Sequence, residues 1–499
     1  MRQQGWTPPS GVNYLALGLG FVVVEQAFEM ALALRQRAYL RRDKLPGRLE
    51  DQVRAIDDDA AAAAPAAAPA AQEMARDEGD QDKEKSSSSS SSNNNNNKAS
   101  LLEQLRSKFH KSQTYNLDKN TLSFVNMGYG MAVSAAMLLS GFNVWLWTQS
   151  EAVAQSAFGL EPASSELVVG SLFLLAQSVV GAVISMPLTI YSTFWVEAEH
   201  GFNRTTPSLF VADTLKSLAV ENVIVLPLMA GIVKLVRWGG ERFWLYVWGL
   251  LVGFSMVMIT VYPNFIMPLF NEYKPLPDGE LKSEIEKLAA RLEFPLTKLY
   301  EVDGSKRSSH SNAYLYGFLR DKRIVLYDTL IKNEEEPALA CTTEEVVSIL
   351  AHELGHWSMS HTVKGFLLQN VVYLVAFRLF GLFLHDPDMY KSFGFVDQPV
   401  VIGLNLFSYI MAPLGTVLSI AVNAVTRKFE YEADAFAVNL GKADGLKSGL
   451  AKISIANLAS FDHDPLYHAV HHSHPSLLDR LRAMDCAVEE MTHDVKKVK

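Results

Sequence analysis

The residues best placed to do chemistry are His352-Glu353-Leu354-Gly355-His356, an H-E-x-x-H pentad. On a helix, His352 and His356 share one face, one turn apart. Two imidazoles so placed can hold one zinc ion, with Glu353 beside them to take a proton from the attacking water. Five matching residues also arise by chance in a chain of this length. A working site therefore needs a third ligand, exclusion of bulk water and a groove for substrate, each of which must come from elsewhere in the chain.

A third ligand is offered by Arg427-Lys428-Phe429-Glu430-Tyr431-Glu432-Ala433-Asp434-Ala435-Phe436. Glu430 and Asp434 stand four apart on a presumed helix. Glu430 would complete a His₂Glu set, and Asp434 would accept the outer N–H of a ligand imidazole and fix its tautomer. Glu432 is the alternative ligand, but it points to another side of the helix from Asp434. Read alone, these acids would form a solvated face paired with Arg427 and Lys428. Further on, His468, His471, His472 and His474 cluster without the spacing of a closed metal set, and one of them could donate to a developing oxyanion.

The elements that must position these groups are legible too. Thr342-Thr343-Glu344-Glu345 reads as a capping box that starts the H-E-x-x-H helix, and Val346, Val347, Ile349 and Leu350 give it an apolar face. Ahead of it, residues 271–341 read as a small α+β unit. It has a helix over 278–292, with Leu281, Ile285 and Leu288 on one side, and short strands at 299–302, 313–316 and 323–327. An edge strand there could hold an extended substrate by main-chain hydrogen bonds and lay a peptide bond across the metal.

The chain has 499 residues, is 49% hydrophobic and carries a net charge of −9. Its apolar residues gather in runs at 12–34, 124–147, 168–195, 215–236, 243–270, 365–384 and 400–425, each long enough to cross a bilayer. The fold class expected is an α-helical polytopic membrane protein of about seven spans carrying a zincin-like α+β metalloprotease unit. It divides into 1–56 (first span), 57–100, 101–270 (spans two to five), 271–363 (the protease unit), 364–426 (spans six and seven) and 427–499 (helices with the third ligand). Residues 57–100, with alanine, serine and asparagine runs, cannot bury a core and are expected to be disordered.

Arg35, Arg37, Arg41, Arg42 and Lys44 follow the first run, so its C-terminal end is expected in the cytosol. Seven spans then put the H-E-x-x-H unit and the C-terminus on that side. The sequon at Asn203 would lie there too, unused. Glu25 and Glu29 within the first run need a wet cavity or a partner. Cys341 and Cys486, the only cysteines, imply no disulfide framework, and no nucleic-acid motif is present. Lys496-Lys497-Val498-Lys499 has the form of a cytosolic retrieval signal for the endoplasmic reticulum.

The chain resembles the type I CAAX prenyl endopeptidases. The resemblance rests on Gly304-Ser305-Lys306-Arg307-Ser308-Ser309-His310-Ser311-Asn312-Ala313-Tyr314, His352-Glu353-Leu354-Gly355-His356-Trp357, the 427–436 segment and His472-Ser473-His474-Pro475. It implies seven helices enclosing a water-filled intramembrane chamber, which would accommodate Glu25 and Glu221, and one Zn²⁺ per chain. It also implies that Asn312 and His474 orient substrate or stabilise the tetrahedral intermediate, with Arg480 supporting His474. The implied substrates are prenylated protein C-termini, cut three residues from the end and in some members again upstream. The implied location is the endoplasmic reticulum and inner nuclear membrane, among membrane lipids. The 57–100 stretch departs from the family pattern. Two rivals are a general membrane quality-control zinc protease, and a transporter or scaffold that binds lipidated chains and needs no Glu353.

Overall fold

The computed structural model describes residues 11–63, 100–161, 165–318, 321–332 and 336–498. Among these, seven helices are long and apolar enough to cross a membrane: Tyr14–Leu40, Leu101–Leu139, Glu166–Glu197, Pro207–Trp238, Gly240–Leu269, His361–Phe383 and Val400–Asn439. A helix satisfies its own backbone in lipid, which is why apolar runs of this length resolve as helices. The second span ends earlier than its apolar run. Gly141 sits at φ 68°, and residues 142–147 belong to a separate helix, Phe142–Phe158.

Each span packs on its neighbours in sequence order, Phe142–Phe158 bridges the second and third, and the seventh returns to the first, closing a ring. At one end the ring is sealed by an apolar cluster drawn from every span, including Tyr14, Leu138, Phe173, Val233, Phe243, Phe380 and Leu406. Six of the spans are only 11–17% buried over their apolar windows, as helices with lipid-facing sides are. Ser178, Ser185, Thr189, Asp213, Ser217 and Glu221 line a cavity of about 590 Å³ between the third and fourth spans. Glu25 Oε1 accepts from Thr416 Oγ1 at 3.1 Å, and Glu29 Oε2 lies 3.1 Å from His471 Nε2.

The other end of the ring carries the α+β unit. Its sheet has the order β1-β2-β4-β3, with β1 Tyr273–Pro275, β2 Leu296–Val302, β3 Ala313–Phe318 and β4 Asp321–Tyr327. β2 runs parallel to β4, and β3 pairs antiparallel to β4, leaving β3 at an edge. Gly317 makes this hairpin possible. At φ 125° its missing Cβ would stand 1.9 Å from the Asp321 carbonyl oxygen.

The H-E-x-x-H helix, Thr343–Ser358, begins at a capping box of Thr342 and Glu345. It buries Val346, Val347, Ile349, Leu350, Ala351 and Leu354 in the largest core. That core also takes Leu49, Val53 and Ile56 from helix Gly47–Ala63, and Leu101, Leu102 and Leu105 from the start of the second span. The stretch expected to be disordered from 57 onward therefore begins as helix. Asp57 accepts hydrogen bonds from the Leu101 and Leu102 backbone N–H groups, so it caps the next helix instead of facing solvent. The expectation for 64–99, and Lys499 of the retrieval signal, lie outside the described residues. Cys341 is buried, Cys486 is exposed and both are free.

Candidate active site

The final membrane helix does not stop at the membrane. Val400–Asn439 runs 40 residues and carries Glu430 and Asp434 up against the H-E-x-x-H helix. Gly355, inside the pentad, allows this approach, because a Cβ there would meet Ala433 Cα at 3.2 Å and the Phe436 ring at 3.1 Å. The close crossing brings three potential ligand atoms together. His352 Nε2 and His356 Nε2 are 3.2 Å apart, and Glu430 lies 3.6 Å from the first and 3.3 Å from the second.

These residues fit a metal. Three ligands of a tetrahedral zinc at its usual bond lengths stand about 3.3 Å from one another. Glu430 is 3% exposed, and its Oε2 has no aligned hydrogen-bond donor although charged groups surround it. Two imidazole nitrogens facing a buried carboxylate at such distances form a donor set suited to a divalent cation. Among the described residues this is the single such group.

Behind it stands a second tier. Asp434, 1% exposed, places Oδ1 2.8 Å from His352 Nδ1, as its spacing from Glu430 led us to expect. Arg480, implied by the resemblance as a support for His474, stands with Nη1 3.6 Å from Glu430 Oε2, the oxygen that His474 also meets, and it grips Asp434 as well, Nε to Oδ2 at 2.9 Å and Nη2 to Oδ1 at 2.6 Å. His474 Nδ1 lies 2.9 Å from Glu430 Oε2 while two-thirds of the ring stays open. That carboxylate raises the affinity of His474 for a proton. Its segment is anchored by Arg427, whose guanidinium donates to the Ala469 and His472 carbonyls at 3.0 and 2.6 Å. The sequence reading had Arg427 only as a surface partner for the acids.

Glu353 is half-buried at the wall of a cavity of about 690 Å³ that it shares with His356, Trp357, Tyr314 and Tyr316, and with Met258 of the fifth span. Burial raises its pKa, which His352 and His356 partly offset. Asn312 is exposed at the start of β3. Its carbonyl accepts from Tyr327 N–H and its Oδ1 from Ala313 N–H, which leaves the carboxamide NH₂ as the outward donor. No contact joins it to the His-His-Glu group. The loop before it is fixed to the membrane helices by Arg307, whose Nε donates to Asp213 at 2.8 Å, and by the bridge from Ser308 to Asn203.

Sequence reasoning did not reach His361. This ring is 4% exposed and touches the outer nitrogen of His356. Its signal was present five residues past the pentad, but on a continuous helix that position would face away.

Residues 98–272 match a family model described as CAAX prenyl protease N-terminal, five membrane helices, and residues 275–488 match Peptidase family M48. A CAAX prenyl protease 1 homolog from Oryza sativa subsp. japonica is 43% identical over 381 residues, covering 76% of this chain and 88% of the relative. The Homo sapiens homolog is 39% identical over 409 residues, covering 75% and 86%. The crystal structure of S. mikatae Ste24p superposes with a TM-score of 0.80 at 30% identity, covering 96% of this chain and 100% of that one.

Proposed function

The chain belongs to peptidase family M48 and is a multi-pass membrane metalloprotease, and from that premise we propose that it is a zinc endopeptidase removing the last three residues from prenylated Cys-a-a-X protein C-termini. The observation that carries the reading is the His352, His356 and Glu430 group beside a cavity that the protease unit shares with the fifth, sixth and seventh spans. A soluble peptidase needs no cavity walled by membrane spans, whereas a substrate with a lipid on the cysteine needs somewhere apolar to put it.

His352, His356 and Glu430 would hold zinc, which when bound supplies Lewis-acid activation of water and of the scissile carbonyl. The rest falls to this chain's own side chains. Glu353 takes the proton of the attacking water and later delivers it to the leaving amine. Its raised pKa suits both halves of that task, since the base must also become an acid. His474, two-thirds exposed beside Glu430, donates to the oxygen that gains charge, and Asn312 NH₂ orients the substrate along the edge strand β3. Asp434 and Arg480 keep His352 turned toward the metal.

By charge bias the protease unit faces the cytosol, where prenylated C-termini are made. The likeness to the CAAX prenyl proteases supports residence in the endoplasmic reticulum. The test is incubation of the purified full-length protein with a farnesylated Cys-a-a-X peptide, with fragments identified by mass. Release of an intact tripeptide, abolished by a chelator and restored by zinc, is expected. Faster cutting of unprenylated, unfolded chains would favour a general quality-control protease instead.

A further inference from the structure

The two imidazoles of the pentad are held differently on their outer sides. His352 Nδ1 meets a carboxylate directly, at Asp434. His356 Nδ1 meets another imidazole, His361 Nδ1, at 3.0 Å, and His361 Nε2 in turn lies 2.9 Å from Glu432 Oε2. We propose that His361 is a positioning residue for His356, and that Glu432 sets the tautomer that lets it do so. The inference rests on the metal reading above.

Only one proton arrangement satisfies the chain. If His356 gives Nε2 to the metal, its proton sits on Nδ1 and donates outward. His361 must then accept at Nδ1, so its own proton sits on Nε2 and donates to Glu432. Each imidazole donates once and accepts or ligates once, and the chain ends on a carboxylate. Glu432, weighed from sequence as a ligand, thus stands two hydrogen bonds behind His356.

The backbone is shaped to make this contact. In an uninterrupted helix, residue 361 would lie about 140° around the axis from residue 356. Ser360 breaks the helix by adopting the left-handed conformation, φ 57° and ψ 33°, which a serine rarely takes. The sixth span restarts at His361 and swings that ring back onto His356. The ring plane is fixed from the other side by Phe429, stacked on it with centroids 4.2 Å apart and planes 9° apart. A backbone outlier, a buried ring with both nitrogens engaged and a stacking partner one residue from Glu430 all converge on the orientation of one ligand.

The test compares three full-length proteins in detergent: wild type, His361→Phe and His361→Gln. Phe keeps the volume and the stack on Phe429 but has no nitrogen, whereas a Gln carboxamide can accept from His356 and donate to Glu432. Zinc affinity is measured by competition with a chromophoric chelator, unfolding is followed on the metal-free proteins, and kcat and KM are taken on a farnesylated peptide. His361→Phe should weaken zinc binding 10- to 100-fold and lower kcat with KM little changed, at an unaltered metal-free unfolding midpoint. His361→Gln should regain most of the affinity. Wild-type zinc affinity in His361→Phe, or a metal-free midpoint lowered in step with the zinc loss, overturns the proposal. A wild-type protein that takes up no zinc would overturn the metal reading itself, a different result from a variant that matches a zinc-binding wild type.

Discussion

Replacing Arg480 by Met should be among the most damaging single changes outside the metal-binding residues. The guanidinium makes two hydrogen bonds, at 2.9 and 2.6 Å, to a carboxylate that is 1% exposed. Met fills much of the arginine stem's volume, so the main loss is the positive charge. Removing one partner of a buried pair strands the other, at a cost of about 3–5 kcal/mol. That is a large share of the roughly 5–15 kcal/mol by which proteins are stable. The stranded Asp434 retains one donor, His352 Nδ1 at 2.8 Å, and its uncompensated charge would favour a second proton on that imidazole at the expense of metal binding. Both stability and zinc affinity should fall. The assay is unfolding of the full-length protein in detergent at saturating zinc, beside Arg480→Lys and the double variant Arg480→Met/Asp434→Leu. Lys supplies charge without the fork and should be intermediate. The double variant removes both charges and should recover most of the stability but not the zinc affinity. A loss under about 1 kcal/mol for Arg480→Met, or no recovery in the double variant, would refute the argument that a stranded charge is the cost.

Three further outcomes are expected. Ser360→Gly should raise the unfolding free energy by about 1 kcal/mol, through relieved left-handed strain, without moving zinc affinity, as read by the same unfolding and chelator assays. Gly355→Val should push the helix bearing Glu430 away from the pentad, because even a Cβ already meets Ala433 Cα at 3.2 Å; zinc occupancy by elemental analysis should collapse. Stability should also fall on the acid side. Burial lowers the pKa of His463 to about 4 and of His472 to about 3, so both stay neutral in the fold but charge in the unfolded chain below its ordinary value near 6.5. The unfolded state then binds more protons, so the penalty is absent above about pH 6.5 and grows as pH falls toward 4, and His463→Gln should shallow that slope in a thermal series.

Much of the site could be read from spacing because helices impose it. The i, i+4 relation of His352 to His356, and of Glu430 to Asp434, survives in the fold as shared faces, and the Thr342–Glu345 box starts its helix where local chemistry dictates. The seven spans follow from lipid forbidding unpaired backbone. What spacing could not give is anything that depends on a break or a crossing. His361 reaches His356 only because Ser360 leaves helical geometry, and no propensity marks that serine. Arg480 turns to Asp434 because two distant helices cross there, so the sequence could place it near the site but not on its partner. Helix Gly47–Ala63 was obscured by its alanine-rich end, although Leu49, Val53 and Ile56 already carry a helical face.

The central claim is that His352, His356 and Glu430 hold zinc while Glu353 moves the proton. It is tested most directly by one preparation of Glu353→Gln, in which zinc per chain and turnover of a farnesylated Cys-a-a-X peptide are measured together. One zinc per chain is expected, as in wild type, with turnover lowered by about 10²-fold or more. Undiminished turnover in a protein that retains its zinc would contradict it.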